Sequence, residues 1–361
     1  MAANVTPDRM SGVLLTRHGA PEALVWSDDI PVPVPGTGEV LVQVLAAGVN
    51  NTDINTRVGW YSSSVTGATD DVDKDSDIEA GGWSGALQFP RIQGGDICGR
   101  IAALGDGVSG FEIGQRVTCP INLPRPTTEN AYGCEVLGSE YDGAFAQFCK
   151  LEARDIHDVG ASHLSDVEIA AIPCAFGTAE NMLSRVGVCD GLNALITGAS
   201  GGVGLAAVQL ASLRGATVTG VCSASKSTAV LNAGAQAVLE RDEIPPKAAF
   251  DVVIDVVGGP AWPHLIIALK PGGHYAVAGA IAGPIVEADL RNIYLRDITI
   301  HGCTYQPPEV FERLVQLINA GDIRPLVSNT YPLSDIATAQ EDFTSKRYPG
   351  KLVLIPQKDI P

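Results

Sequence analysis

The chain has 361 residues, 45% of them hydrophobic and 18% charged. That is enough apolar material for about two packed domains, and it excludes a chain disordered by composition. Lys and Arg number 24 against 41 Asp and Glu, a formal net charge of −17; a surface that negative repels nucleic acid and anionic lipid, so neither is an expected partner.

Residues 1–157 read as short strands broken by Gly and Pro, with Val13–Thr16, Val40–Val44, Ile97–Ala103 and Arg116–Cys119 the clearest. This is the texture of a β-rich, barrel-like module. An insert rich in Ser, Gly and Asp runs from Gly59 to Pro90. Its Asp70–Glu79 stretch, DDVDKDSDIE, is read as a solvated acidic loop. A calcium loop would need Gly at its sixth position and Glu at its twelfth, where Ser76 and Gly82 stand.

From residue 158 to 320 the pattern changes. The segment from Leu164 has helical spacing interrupted by Pro173, with Ser165 or Asp166 as its N-cap. Apolar strands are then predicted at Asn193–Thr197, Ala216–Val221, Asp251–Val257, His274–Ala278 and Asp297–His301. Helices are predicted at Val203–Leu213, Ser227–Ala233, Pro260–Leu269 and Glu309–Ala320. Strands buried on both faces and separated by helices make a parallel α/β sheet. Residues 321–361 return to strands and turns, ending in Lys351–Ile355, and are expected to rejoin the β-rich module.

No two of the eight cysteines form a C-x-x-C pair or a zinc-like cluster with His, so they read as buried thiols of a reducing cytosol. The start of the chain has no apolar signal core, which also points to the cytoplasm. The uncharged run Gly191–Leu213 holds five glycines and is too polar and flexible for a membrane span.

That run is instead a dinucleotide fingerprint. A strand from Asn193 leads into Ala199-Ser200-Gly201-Gly202-Val203-Gly204 and then into an amphipathic helix. Gly201 leaves room for a diphosphate, Gly204 lets the helix approach the strand, and the helix N-terminus attracts the phosphates. Ser200, Gly201, Gly202 and Val203 are therefore candidate cofactor residues. An NAD site carries Asp or Glu at the end of the second strand. Here the sequence is Val221-Cys222-Ser223-Ala224-Ser225-Lys226, with no acid between Asp190 and Glu240. Ser223 and Lys226 suit the 2′-phosphate of NADP(H).

Five motifs then carry a resemblance across Val13 to Ile355: GDGVSGFEIGQRV from Gly105, GASGGVG from Gly198, FDVVIDVVGG from Phe250, LKPGGHYAVAG from Leu269 and YPGKLVLIP from Tyr348. Together they resemble the medium-chain dehydrogenase/reductase superfamily, in its zinc-free quinone oxidoreductase (zeta-crystallin-like) branch. The resemblance implies an α/β protein, with a GroES-like β-rich catalytic domain split around a Rossmann doubly wound parallel sheet and the active site in the cleft between them. Zinc-dependent relatives place a Cys where this chain has Asn50 and a His-Glu pair where it has Gly95-Asp96. Only Cys174 remains of such a set, and a catalytic zinc needs three protein ligands, so no metal is expected.

Without a Lewis acid, the implied reaction is hydride transfer from NADPH to a quinone, enone or related conjugated carbonyl. Arg57-Val58-Gly59-Trp60-Tyr61 resembles the R-x-G-x-Y of that branch, which makes Tyr61 the candidate proton donor. Asn50 would orient the carboxamide or the substrate, while Asp53 reads as a helix cap. The family pattern adds Thr178, Val257, Gly279, Ala280, Ile281, Cys303 and Lys351 as cofactor contacts, and a homodimer. The alternatives are an enoyl-thioester (acyl-CoA) reductase and, from another class, a non-catalytic nucleotide-binding or structural protein.

Overall fold

The computed structural model describes residues 6–69 and 81–357; the acidic Asp70–Glu79 stretch lies outside the described residues. The chain divides into two compact units, one within Met1–Ser62, Asp73–Cys174 and Phe311–Pro361, the other within Ser63–Val72 and Ala175–Val310. Among the described residues no helix is long and apolar enough to cross a membrane.

The first unit is built on a seven-stranded sheet. Its order is Val327–Pro332, Lys351–Ile355, Glu39–Gly48, Cys98–Leu104, Arg116–Thr118, His157–Asp158, and Phe148–Glu152 also pairs with Glu39–Gly48. The carboxyl-terminal strand thus returns to the β-rich module and pairs antiparallel with Glu39–Gly48. Val40, Val42, Ile101, Phe145 and Leu354 belong to its buried core.

The second unit is a six-stranded parallel sheet in the order Ala237–Leu239, Thr217–Val221, Asn193–Ile196, Phe250–Asp255, Leu269–Val277, Thr299–Gly302. The chain starts in the middle, winds out to one side, then crosses back and winds out to the other. The switch falls between Asn193–Ile196 and Phe250–Asp255, where doubly wound sheets hold their ligands.

The division falls later than the texture change at residue 158. Ser165 caps a short helix, Asp166–Ile169, through a reciprocal pair with Glu168. That helix packs on Glu39–Gly48 and Cys98–Leu104, so this segment stays with the first unit. The Phe311 ring lies 5.1 Å from that of His157, and the Ser162 hydroxyl donates to the Ile318 carbonyl, which brings the helix Pro308–Ala320, from Phe311 on, into the first unit as well. Pro173 does not interrupt a helix; it begins one, Pro173–Arg185, where its fixed φ and missing N–H are tolerated.

Candidate active site

In the first unit, sheet register assembles a buried polar cluster. Val353 pairs with Gly48, which carries Lys351 to the level of Asn50. Ala46 pairs with Cys98, which carries Asp96 to the level of Gly48. A Cβ on Gly48 would stand 2.5 Å from an Asp96 carboxylate oxygen, so the glycine makes the space for it. Asp96, Lys351 and Asn50 are 0%, 3% and 5% exposed. The Lys351 ammonium donates to Asp96 Oδ2 at 2.8 Å, to the Val49 carbonyl at 2.9 Å and to Asn50 Oδ1. Asn50 Nδ2 donates to the same Asp96 oxygen at 2.9 Å, and the Cys174 N–H donates to Asp96 Oδ1 at 2.6 Å.

Lys351 directs its three hydrogens to partners within the first unit, and the Asn50 side chain is engaged by Lys351 and Asp96.

Asp53 does cap its helix, Asn51–Val58, accepting the Asn50 N–H at 2.8 Å. Burial, with Asp96 nearby, pushes its carboxyl up to about 7. A raised carboxyl holds its proton in the folded protein while the unfolded chain has lost it. Stability from this group is therefore present near pH 4 and declines as pH rises to about 7. Asp53→Asn keeps the acceptor and removes the charge. Urea unfolding of this variant should vary less between pH 4 and 7, by on the order of 4 kcal/mol at 1.36 kcal/mol per pH unit; a profile parallel to wild type would refute the assignment.

Tyr61 follows the same helix. Its hydroxyl lies 2.9 Å from Thr52 Oγ1 and also bonds the Asn55 side chain, while burial raises it well above the ordinary tyrosine range. The phenol is therefore protonated at neutral pH, as a proton donor must be. Arg57 of the same motif is 4% exposed and structural, bonding Gln340 at 2.8 Å and the Gly19 carbonyl at 2.6 Å.

The positions that hold zinc in relatives do not fit a metal here. An amide, a glycine and one thiol stand there, and the adjacent carboxylate is already paired with an ammonium. Among the described residues no group of three or more His, Cys, Asp or Glu is placed to hold a metal ion. The Pro120–Asp142 segment is pinned by charge: Arg125 grips Asp155 with two bonds, 3.0 and 2.6 Å, and Glu135 at 3.1 Å.

In the second unit all six strands point one way, so the residues after them gather along one edge: Ser200–Val203, Ser223, Val257, Gly279–Ile281 and Cys303. The helix Gly202–Leu213 starts at Gly201, which is exposed and whose added Cβ would meet only the Gly198 carbonyl, at 3.4 Å. A Cβ on Gly204 would lie 2.1 Å from that same carbonyl. The turn thus presents open space over a helix N-terminus, and a dinucleotide diphosphate fits it. Asp255 braces the next turn, accepting from Thr197 Oγ1 at 2.5 Å, from the Val257 N–H at 2.9 Å and from the Tyr275 hydroxyl. Thr178 lies, half-buried, on Pro173–Arg185.

Ser223 stands at the N-cap, and Lys226 at the end, of a 3-10 turn, Ala224–Lys226, after Thr217–Val221. The sequence reading missed Arg241, which follows the three-residue strand Ala237–Leu239 and lies close enough to depress the Lys226 ammonium after burial has done so.

Comparison with known proteins accords with both units. Residues 36–161 match the alcohol dehydrogenase GroES-like domain family, and residues 202–320 match the zinc-binding dehydrogenase family. A candidate alcohol dehydrogenase from Sinorhizobium meliloti 1021 superposes with a TM-score of 0.86 at 41% identity, covering 98% of each chain. The chain belongs to the medium-chain dehydrogenase/reductase superfamily. Members of this superfamily bind a nicotinamide cofactor. Positions 50, 95 and 174 lie outside the stretch matched to the zinc-named family. This medium-chain dehydrogenase/reductase is also 29% identical to an acryloyl-coenzyme A reductase from Metallosphaera sedula, over 90% of this chain and 95% of that one. It is 28% identical to a quinone oxidoreductase from Lama guanicoe, over 96% and 97%.

Proposed function

We propose that this oxidoreductase is an NADPH-dependent reductase of quinones, enones or related conjugated carbonyls that works without a metal ion. The observation that carries the reading is the corner beyond Thr217–Val221 and its parallel neighbour Ala237–Leu239, after which Lys226 and Arg241 follow, and where the first of these strands ends without the acid of an NAD site. Ser200, Gly201, Gly202 and Val203 would hold the diphosphate. Ser223, Lys226 and Arg241 would hold the 2′-phosphate. Thr178, Val257, Gly279, Ala280, Ile281 and Cys303 would line the rest. When bound, the reduced nicotinamide supplies a hydride. Tyr61, oriented by Thr52 and Asn55, donates a hydrogen bond and then a proton to the substrate oxygen. The buried Asp96–Lys351 pair stands where a metal would need free donors, which supports zinc-independent chemistry.

The similarity to the acryloyl-coenzyme A reductase favours a second reading, reduction of an enoyl thioester. A homodimer is supported by the edge strand Thr299–Gly302, on which Ile300 is exposed and before which Leu290, Tyr294 and Leu295 are exposed. Eight free thiols support a cytoplasmic location.

Lys226→Ala and Arg241→Ala should each weaken NADPH binding about tenfold, the scale of one exposed charge-assisted contact. NADH binding should stay within about twofold. Fluorescence titration checks this, and equal losses for both cofactors would overturn the assignment. One tightly held zinc per chain, found by elemental analysis of active protein, would overturn the metal-free chemistry.

A further inference from the structure

We propose that Trp60, Tyr61 and Trp83 form an aromatic clamp for an uncharged planar substrate, an aryl enone or a quinone, and not for an acyl-CoA. The proposal rests on the reductase reading and narrows its substrate.

The clamp is built from two directions. The helix Asn51–Val58 ends at Gly59, whose φ of 74° turns the chain so that Trp60 and Tyr61 emerge together, ring centroids 5.6 Å apart at 78°. Trp83 comes from the far side of the insert. The Gly82 N–H donates to the Gly85 carbonyl at 2.8 Å, which places Trp83 at the tip of a tight turn. The back of that tip is anchored: the Trp83 N–H donates to Ser139 Oγ at 3.4 Å and the Ser84 N–H to Glu140 Oε1 at 3.1 Å. Trp83 then stands 4.7 Å from the Tyr61 ring at 67°. Gly81 permits the approach, since a Cβ there would lie 2.5 Å from the Gly59 Cα.

Trp60, Tyr61 and Trp83 are each partly exposed as residues, although the Tyr61 hydroxyl end is the buried part of its side chain. The three rings touch edge to face, so they offer one continuous aromatic surface and no slot between them. A flat conjugated carbonyl would lie against the outer side of that surface while Tyr61 meets its oxygen. Among the described residues, the charged groups tied to these rings do not suit coenzyme A. Glu140 supports the turn, and the cation of this helix, Arg57, is buried with bonds to Gln340 and Gly19. The several phosphates of a CoA thioester need basic groups.

The test uses the full chain, 4-phenylbut-3-en-2-one, but-3-en-2-one and acryloyl-CoA, with isothermal titration and NADPH oxidation read separately. The aryl enone should bind the wild-type protein about tenfold more tightly than its aliphatic counterpart, and Trp83→Ala should remove most of that difference. Trp83→Phe should restore it, which separates the ring from the fold. Trp83-dependent aryl binding without NADPH oxidation would leave the clamp standing and sink the reductase reading. Aryl binding indifferent to Trp83→Ala, or a kcat/KM highest for acryloyl-CoA, would overturn the clamp even in an active enzyme.

Discussion

Lys351→Met will lower the stability of the protein by about 3–5 kcal/mol, because it leaves the Asp96 carboxyl group buried without its ammonium partner. Asp96 is 0% exposed. After the substitution it keeps only the Asn50 Nδ2–H and the Cys174 N–H. The loss extends to Asp53, whose negative charge Lys351 favours and Asp96 opposes. The double variant Lys351→Met/Asp96→Asn buries no charge at this place. Its amide oxygen still accepts the Cys174 N–H, and its amide nitrogen can donate to Asn50. More than half of the lost stability should therefore return, measured by chemical denaturation at pH 7. If the single and double variants unfolded at the same midpoint, the pair would contribute little as a pair, and the single-variant loss would be one of packing.

The same cluster marks the limit of what the sequence discloses. The second unit was legible because its signals are local: a glycine turn following an apolar strand, and strands and helices alternating at fixed periods. The predicted strand at Asn193 and helix at Val203 differ from the observed elements by one residue each. Lys351 and Asp96 meet only because two register relations, Val353 with Gly48 and Ala46 with Cys98, bring distant strands together. Neither relation has a local signature, so Lys351 could be assigned only by family position. Arg241 escaped because Ala237–Leu239 is three residues long, too short to show a period. Trp83 escaped because its neighbours Gly82 and Gly85 form one tight turn inside an insert with no pattern. The helix cap at Asp53 was readable and the second N-cap was narrowed to Ser165 or Asp166, of which Ser165 is the cap, since a cap needs only three residues of context.

Gly201→Ala and Gly204→Ala should fail in different ways, and the contrast tests the dinucleotide site directly. At Gly204 a methyl group would lie 2.1 Å from the Gly198 carbonyl oxygen and 2.6 Å from the Ala199 Cα. Both are backbone atoms, and Gly198 holds a φ of 56°, so the turn cannot simply give way. The helix Gly202–Leu213 must move off its strand, at about 1–3 kcal/mol or more, and its N-terminal N–H groups move with it. Thermal stability and NADPH affinity should fall together. At Gly201 the new methyl group would touch only the Gly198 carbonyl, at an ordinary 3.4 Å. The apo protein should melt within about 2 °C of wild type, because alanine fits the observed backbone without strain. The methyl group nonetheless stands at the exposed helix start where a diphosphate would approach, so NADPH affinity should fall about tenfold or more. Unchanged NADPH affinity in a stable Gly201→Ala protein would show that the turn is a packing device alone.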